Sequence, residues 1–71
     1  MYNYQLETLI KAADCGSFSK AAEKLYISPT AVMKQIDVLE RRVGAPLFNR
    51  TNRGITLTSA GESLYKDAKF I

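Results

Sequence analysis

A link of only two residues joins two segments of helical periodicity, and it constrains the fold of this 71-residue chain more than any other feature. The first segment repeats apolar residues at i, i+3, i+4 and i+7, namely Phe18, Ala21, Ala22 and Leu25. After the link Tyr26-Ile27, Ser28 is a good N-cap, and Pro29 suits the first helical position because its N–H would be unpaired there. The sequence therefore predicts two helices joined by a tight turn.

A further helix is predicted before this pair. It covers residues 4–14, ends at Gly16, and has one apolar face formed by Leu6, Leu9, Ile10 and Ala13. The second helix is predicted over about 20–25, with Ser19 as its N-cap and Ser17 as the alternative cap. Its two alanines favour close packing against a neighbouring helix, although alanine is also simply a good helix former.

The third helix is predicted to run to about Val43 and to end at Gly44. Its core stripe comprises Val32, Ile36, Leu39 and Val43. Its opposite face comprises Thr30, Met33, Lys34, Asp37 and Arg41. Lys34 and its neighbours near the N-terminal end are therefore expected to point outward, where the helix dipole also favours anions.

After Pro46 the pattern changes to two short strands, 47–50 and 55–57, joined by a turn with Arg53 at its tip. Thr58 then caps a fourth helix whose apolar stripe comprises Leu57, Ala60, Gly61, Leu64, Ala68 and Ile71. A glycine in the first turn weakens a helix, so Gly61 is expected to permit a close contact. This helix also carries two aromatic residues, Tyr65 and Phe70. They either fill the core or face a partner, and the partner-facing orientation is favoured.

All of the net charge of +3 lies between residues 28 and 57. The basic residues there are Lys34, Arg41, Arg42, Arg50 and Arg53, and the acidic residues are Asp37 and Glu40. Positive and negative charges balance in residues 1–27 and again in residues 58–71. One basic helix and one basic hairpin on a neutral scaffold are typical of a surface that binds a polyanion.

The order helix, tight link, helix and basic hairpin is that of a winged helix-turn-helix. A helix fits the DNA major groove, where base edges are distinguishable, and a hairpin tip can insert arginine into the minor groove. The candidate DNA-binding residues are Ser28, Pro29, Thr30, Met33, Lys34, Arg50 and Arg53. The competing interpretations are a cap for Ser28, partial burial under the hairpin for Met33, and ordinary solvated charges for the basic residues. Arg41 and Arg42 contact phosphate or, as is favoured, complement the helix C-terminus.

Other classes of protein are disfavoured. With no histidine and only Cys15 as a thiol, the sequence predicts no metal site, no cofactor, no intrachain disulfide and no enzymatic activity. Its acidic residues are interpreted as solvated helix charges. No apolar run approaches the roughly 18 residues of a membrane span, and the N-terminus does not resemble a signal peptide, so a cytoplasmic protein is expected. The rival function is a winged-helix module that binds an acidic protein.

The residues strongly resemble the N-terminal DNA-binding domain of LysR-type transcriptional regulators. The first half of the match comprises Leu6, Leu9, Gly16-Ser17-Phe18-Ser19, Ala21-Ala22, Leu25, Ser28 and Ala31-Val32. The second half comprises Gln35-Ile36, Leu39-Glu40, Gly44, Pro46-Leu47-Phe48, Arg50, Leu57-Thr58, Ala60 and Gly61. The match covers nearly the whole chain in the right order and spacing.

This resemblance implies a mainly α winged helix-turn-helix with a three-helix core, a two-stranded wing and the start of a linker helix. It implies a bacterial regulator that binds double-stranded DNA, with helix three in the major groove and the wing at the minor groove. The predicted domains are 1–58, with the helix-turn-helix motif at about 18–37, and a truncated linker or dimerisation helix at 59–71. The family's linker helix forms homo-oligomers, and a small-molecule effector would bind a following domain that this sequence lacks.

The sequence departs from the family pattern at the start of helix three. The usual residues are glutamine and proline, then, three positions further on, serine and a basic residue. Here those positions hold Pro29, Thr30, Met33 and Lys34, and only Lys34 matches in kind. The resemblance therefore does not supply base contacts at positions 29, 30 and 33, and a different operator preference is expected.

Overall fold

Four helices and one two-stranded antiparallel sheet form the protein, which a computed structural model describes over residues 4–69. In chain order the elements are α1 (Tyr4–Cys15), α2 (Phe18–Leu25), α3 (Pro29–Val43), β1 (Phe48–Thr51), β2 (Gly54–Leu57) and α4 (Ser59–Lys69). The sequence predicted this mainly α architecture with a small hairpin, and each predicted strand boundary lies within one residue of the observed one.

The N-cap of α2 differs from the preferred prediction. The Ser17 side chain accepts a hydrogen bond from the Lys20 N–H at 3.2 Å, so the helix begins at Phe18 and Ser19 already lies inside it. Both serines have the chemistry of a cap, but only Ser17 precedes the helix with an extended backbone. The choice of Ser19 was therefore wrong, and the alternative Ser17 is confirmed.

The boundaries of α3 agree with the prediction. The Ser28 side chain accepts a hydrogen bond from the Ala31 N–H at 3.1 Å, and Pro29 is the first helical residue. At the other end Gly44 is left-handed with a φ of 82°, and its N–H donates to the Glu40 carbonyl at 2.7 Å. Both ends of the helix therefore carry partners for otherwise unpaired backbone groups.

The turn between α2 and α3 is closed by two backbone hydrogen bonds. The Tyr26 N–H donates to the Glu23 carbonyl at 3.3 Å, and the Ile27 N–H donates to the Ala22 carbonyl at 3.1 Å. This pairing is the Schellman arrangement, which requires a left-handed residue. Tyr26 is that residue, with a φ of 59° and a side chain that is 94% exposed. The turn therefore tolerates a strain of about 1–2 kcal/mol without compensating burial of the ring.

The core lies between the helices, and α1 contacts each of the other three. Its buried apolar residues are Leu6, Leu9, Ala12, Ala21, Ala22, Val32, Ile36, Leu39, Leu47, Phe48 and Ala68. The two alanines of α2 are fully covered between α1 and α3, which confirms the close packing expected of them. Val43 was wrongly predicted to belong to the core: it is 44% exposed, because it is the last residue of α3 and lies one turn beyond Leu39.

Leu47 joins α3, the hairpin and α4 through its backbone. Its N–H donates to Glu40 Oε2 at 2.8 Å, and its carbonyl accepts the Thr58 N–H at 3.0 Å. The Thr58 hydroxyl donates to the Pro46 carbonyl at 2.6 Å and accepts the Gly61 N–H at 3.1 Å, which confirms it as the cap of α4. We call this group of backbone contacts, centred on the fully buried Leu47, the Leu47 joint.

α4 packs against α1 as its apolar stripe predicts. Gly61 and Ala68 are buried, and Leu64 packs against the core from a partly buried position. Tyr65 is half-buried, and its hydroxyl donates to Asp14 Oδ1 of α1 at 2.5 Å. The predictions for Phe70 and Ile71 lie outside the described residues. Among residues 4–69, no helix has both the length and the apolar character that crossing a bilayer requires.

We expect Gly61→Ala to lower the free energy of unfolding by about 3 kcal/mol, the upper end of the range for overpacking. An added Cβ at this position would overlap the Leu47 carbonyl oxygen and lie 2.9 Å from a methyl carbon of Leu57. Moving that carbonyl would break its hydrogen bond with Thr58. Urea unfolding measures the change, and the exposed Ser63→Ala in the same helix is the control, with an expected effect within about 0.5 kcal/mol. Equal stability of the two variants would contradict the close contact.

Candidate nucleic-acid interface

The outer face of α3 is exposed along its length. Thr30, Met33, Lys34, Asp37 and Arg41 all lie at the surface, as the sequence predicted. The side chain of Met33 is 38% exposed, so it is partly covered but still reaches this face. No metal-binding group of three or more His, Cys, Asp or Glu side chains occurs in the part of the chain that the structure describes.

The N-terminal end of α3 presents donors for an anion. Ser28, Pro29 and Thr30 are all exposed there. The Ser28 oxygen is used as an acceptor in the cap, but its hydroxyl hydrogen remains a possible donor to a further group. The positive end of the helix dipole adds to this potential. Lys34 lies one turn further along the same exposed face as Thr30, so the start of α3 combines hydroxyl and ammonium groups.

The hairpin forms the second part of the site, and its register fixes which side chains face α3. Phe48 pairs with Leu57, and Arg50 pairs with Ile55. Because alternate residues of a strand point to the same face, the side chains of Phe48 and Arg50 lie on one side of β1. The Phe48 ring packs edge-to-face on Phe18, with ring centres 5.4 Å apart and an interplanar angle of 82°. The hairpin is thereby anchored to the first residue of α2.

Arg50 connects the hairpin to the outer face of α3. Its guanidinium carbon lies 5.3 Å from the centre of the Phe18 ring, and its Nη2 atom lies 3.9 Å from Asp37 Oδ1. Both charged side chains are about half-exposed, so the ion pair contributes at most about 1 kcal/mol to stability. Its larger effect is geometric, because it holds a hairpin arginine beside the outer face of α3.

Arg53 lies in the turn of the hairpin, where the sequence predicted it. Thr51 shapes this turn: its hydroxyl donates to the Gly54 carbonyl at 3.1 Å and accepts the Arg53 N–H at 3.2 Å. The Arg53 side chain is exposed. The structure thus brings Arg50 next to α3, whereas Arg53 is presented at the far end of the hairpin.

The two arginines late in α3 have different surroundings. The Arg42 Nη1 group donates to Gln5 Oε1 of α1 at 3.4 Å, so the Arg42 side chain is directed toward α1. Arg41 remains on the outer face, where it borders an open groove of about 550 Å³ lined by Asp37, Glu40, Arg41, Gly44, Ala45 and Pro46. Of this pair, Arg41 is the residue that lies in line with Lys34 and Asp37 along the helix.

Three residues that position the site were not singled out from the sequence. Phe18 was assigned to the apolar stripe of α2 and to the family pattern, but its ring also supports Arg50. Asp37 and Glu40 were interpreted as solvated charges, but Asp37 pairs with Arg50 and the Glu40 carboxylate accepts the Leu47 N–H. No spacing rule links these residues, because each contact joins elements that are separate along the chain.

Known proteins share both the sequence pattern and this fold. Residues 4–62 match the family described as bacterial regulatory helix-turn-helix protein, lysR family. The chain is 43% identical over 65 residues to the HTH-type transcriptional regulator TfdT of Cupriavidus pinatubonensis. That match covers 92% of this chain but 28% of TfdT, so the chain spans about a quarter of the length of that relative.

Solved structures agree with the observed architecture. The crystal structure of a CbnR_DBD–DNA complex superimposes with a TM-score of 0.92 at 36% identity, covering 99% of this chain and 80% of that one. The full-length regulator LysG of Corynebacterium glutamicum with bound effector Arg gives a TM-score of 0.89 at 41% identity, covering 99% of this chain and 24% of that one. These matches confirm the predicted winged helix-turn-helix, in which β1 and β2 form the wing.

We expect Glu40→Ala to lower the free energy of unfolding by about 1.5–3 kcal/mol, because the Leu47 N–H loses a charged acceptor. Glu40→Gln, which keeps an oxygen acceptor, should recover much of this loss. Hydrogen exchange at the Leu47 amide should accelerate strongly in Glu40→Ala and less in Glu40→Gln. Glu23→Ala, at an exposed position of α2, serves as the control. Unaltered protection of the Leu47 amide in Glu40→Ala would show that this carboxylate does not hold the wing.

Proposed function

Since the chain belongs to the LysR family of bacterial regulatory helix-turn-helix proteins, we propose that it binds double-stranded DNA sequence-specifically, with α3 in the major groove and the wing at the minor groove. The observation that carries the proposal is the connection of two basic elements at Arg50, beside the exposed face of α3. All of the net positive charge lies in this segment, 28–57. The similarity to CbnR_DBD, which was crystallised in complex with DNA, supports the same conclusion.

The dimensions of α3 suit the proposed position. A helix with its side chains is about 10–12 Å across, close to the width of about 12 Å of the major groove. Residues at the start of α3 would meet base edges, as in other helix-turn-helix proteins. The wing turn is narrower, and it presents Arg53 as a cation for the minor groove, where the negative potential is strongest.

Each candidate residue has a proposed role. Lys34 would bind guanine O6 and N7, and Thr30 or Met33 would contact a thymine methyl group. Ser28 and Arg50 would bind phosphate oxygens, which fixes the register of the domain on the duplex. Pro29 begins α3 and is exposed, but it offers no side-chain hydrogen bond to a base. Because positions 29, 30 and 33 depart from the usual family residues, we propose an operator preference different from that of typical members.

We also propose that α4 begins a linker helix at residue 59 and that 1–58 form the DNA-binding unit. In a longer protein of the family this helix would pair two copies, and an effector would bind a further domain, as the bound Arg of LysG suggests. We expect no enzymatic activity, because the relatives are regulators. A protein that binds bacterial DNA would work in the cytoplasm.

The competing function is contact with an acidic protein through the same basic surface. Salt dependence alone separates the two functions only in part, because both depend on charge. Discrimination among DNA sequences separates them better, since base contacts give each position of a site its own energetic cost. Substitutions of Lys34 and Arg53 separate base readout from charge.

We expect Lys34→Ala to relax base preference at one position of the selected site. Removing a good base contact costs about 1–3 kcal/mol of discrimination at that position while leaving the others selective. Random-sequence selection with the wild-type and variant chains measures this directly. A loss of preference spread evenly over the site, or no change at any position, would contradict base readout by Lys34.

We expect Arg53→Ala to weaken binding to most DNA sequences by a similar factor. If Arg53 neutralises one phosphate, the slope of log affinity against log salt should become shallower by about 0.9. Titration of a selected site and of an unrelated duplex at several salt concentrations measures both effects. The control is Lys66→Ala, which removes an exposed charge from α4. Identical affinity and slope for wild type and Arg53→Ala would exclude the wing tip from the interface.

A further inference from the structure

The Asp37 carboxylate lies on the outer face of α3, between the basic side chains of Lys34 and Arg41. Asp37 follows Lys34 by three residues and precedes Arg41 by four, so the three side chains form one exposed row on α3. A negative charge at this position opposes the approach of any DNA phosphate, whatever the base sequence. Asp37 therefore weakens the sequence-independent part of binding.

The same carboxylate holds Arg50. Arg50 Nη2 lies 3.9 Å from Asp37 Oδ1, and the guanidinium carbon also lies over the Phe18 ring, 5.3 Å from its centre. Phe18 is itself fixed by its edge-to-face contact with Phe48, two residues before Arg50 on the same face of β1. The orientation of Arg50 is thus determined by three elements of the fold: α2, α3 and the wing.

The guanidinium retains donors while it occupies this position. It carries five N–H donors in a rigid planar fork, and the contact with Asp37 is made through one end of that fork. The remaining N–H groups are available to a phosphate that approaches from solvent. Arg50 can contact a phosphate at any other position only if its guanidinium leaves both Asp37 and the Phe18 ring.

From this geometry we propose that Asp37 is a specificity-determining positioning residue, which acts by fixing the orientation of Arg50. In a correctly seated complex Arg50 binds phosphate without leaving its site. On unrelated DNA, Arg50 could reach a phosphate only by leaving Asp37 and exposing an uncompensated carboxylate to the duplex, so Arg50 stays paired and does not contact that phosphate. The inference rests on the proposed DNA-binding function and adds a reason why that binding discriminates. Because the ion pair is half-exposed, the effect is a matter of a few fold rather than of orders of magnitude.

The test is Asp37→Asn, which keeps the shape of the side chain and removes its charge. Affinity for an unrelated duplex should rise about three- to tenfold, with a salt slope steeper by about 0.9, because a freed Arg50 neutralises one more phosphate. Affinity for the selected site should change by less than about twofold, so the specificity ratio falls. Asp67→Asn on α4 changes the net charge equally and should leave the slope and the ratio unchanged.

Two further variants test the route through Arg50. In an Arg50→Gln background, Asp37→Asn should no longer lower the specificity ratio, whereas Asp37→Glu in the otherwise wild-type chain should preserve most of it. An effect of Asp37→Asn that persists without Arg50 would overturn the proposal, since Asp37 would then act on DNA directly. If Asp37→Asn has the same specificity ratio as the wild-type chain, the proposal is overturned as well. A wild-type chain that discriminates no sequence would instead refute the proposed function, so the two failures are distinguishable.

Discussion

The backbone of Leu47 is the constraint on which the rest of the structure depends. Its N–H and carbonyl groups are bound by α3 and by the start of α4, and its side chain is fully buried. A buried peptide group that loses a partner costs about 1–3 kcal/mol, a large part of the stability of a chain this short. The Leu47 joint is therefore sensitive to small changes, and it fixes where the wing leaves the helical core.

The position of the wing decides what the basic surface can bind. Arg50 follows the joint by three residues and reaches the outer face of α3, where Asp37 and the Phe18 ring hold it. These exposed contacts contribute little to stability. They depend instead on the buried contacts of Leu47 and Phe48, which set the geometry. The strand β1 thus connects core packing with the charged surface. A packing defect at Leu47 or Phe48 would move Arg50 away from the outer face of α3.

Much of the fold was predictable from local signals. The periodicity of Leu6 and Leu9, the cap at Ser28, and the glycine after Val43 each report on a few neighbouring residues, and all agreed with the structure. The signals failed where two neighbours had similar chemistry, as with Ser17 and Ser19. The periodicity also wrongly predicted a buried Val43, because the apolar stripe of α3 extends beyond the residues that neighbouring elements cover.

The candidate site was predictable to a smaller extent. Exposure of Lys34 and Arg53 followed from helix phase and turn chemistry, which are local properties. The roles of Phe18, Asp37 and Glu40 did not, because they arise from contacts between elements that come together only in the fold. The base contacts proposed for α3 did not follow from the family pattern, since Pro29, Thr30 and Met33 depart from its usual residues.

The most direct measurement is the specificity ratio of the chain, obtained by selecting a duplex from random sequences and comparing its affinity with that of bulk DNA at one salt concentration. If α3 reads base edges in the major groove, the selected site should bind at least about 10³-fold tighter than bulk DNA. A best selected site that is no tighter than bulk DNA would contradict sequence-specific recognition by this surface.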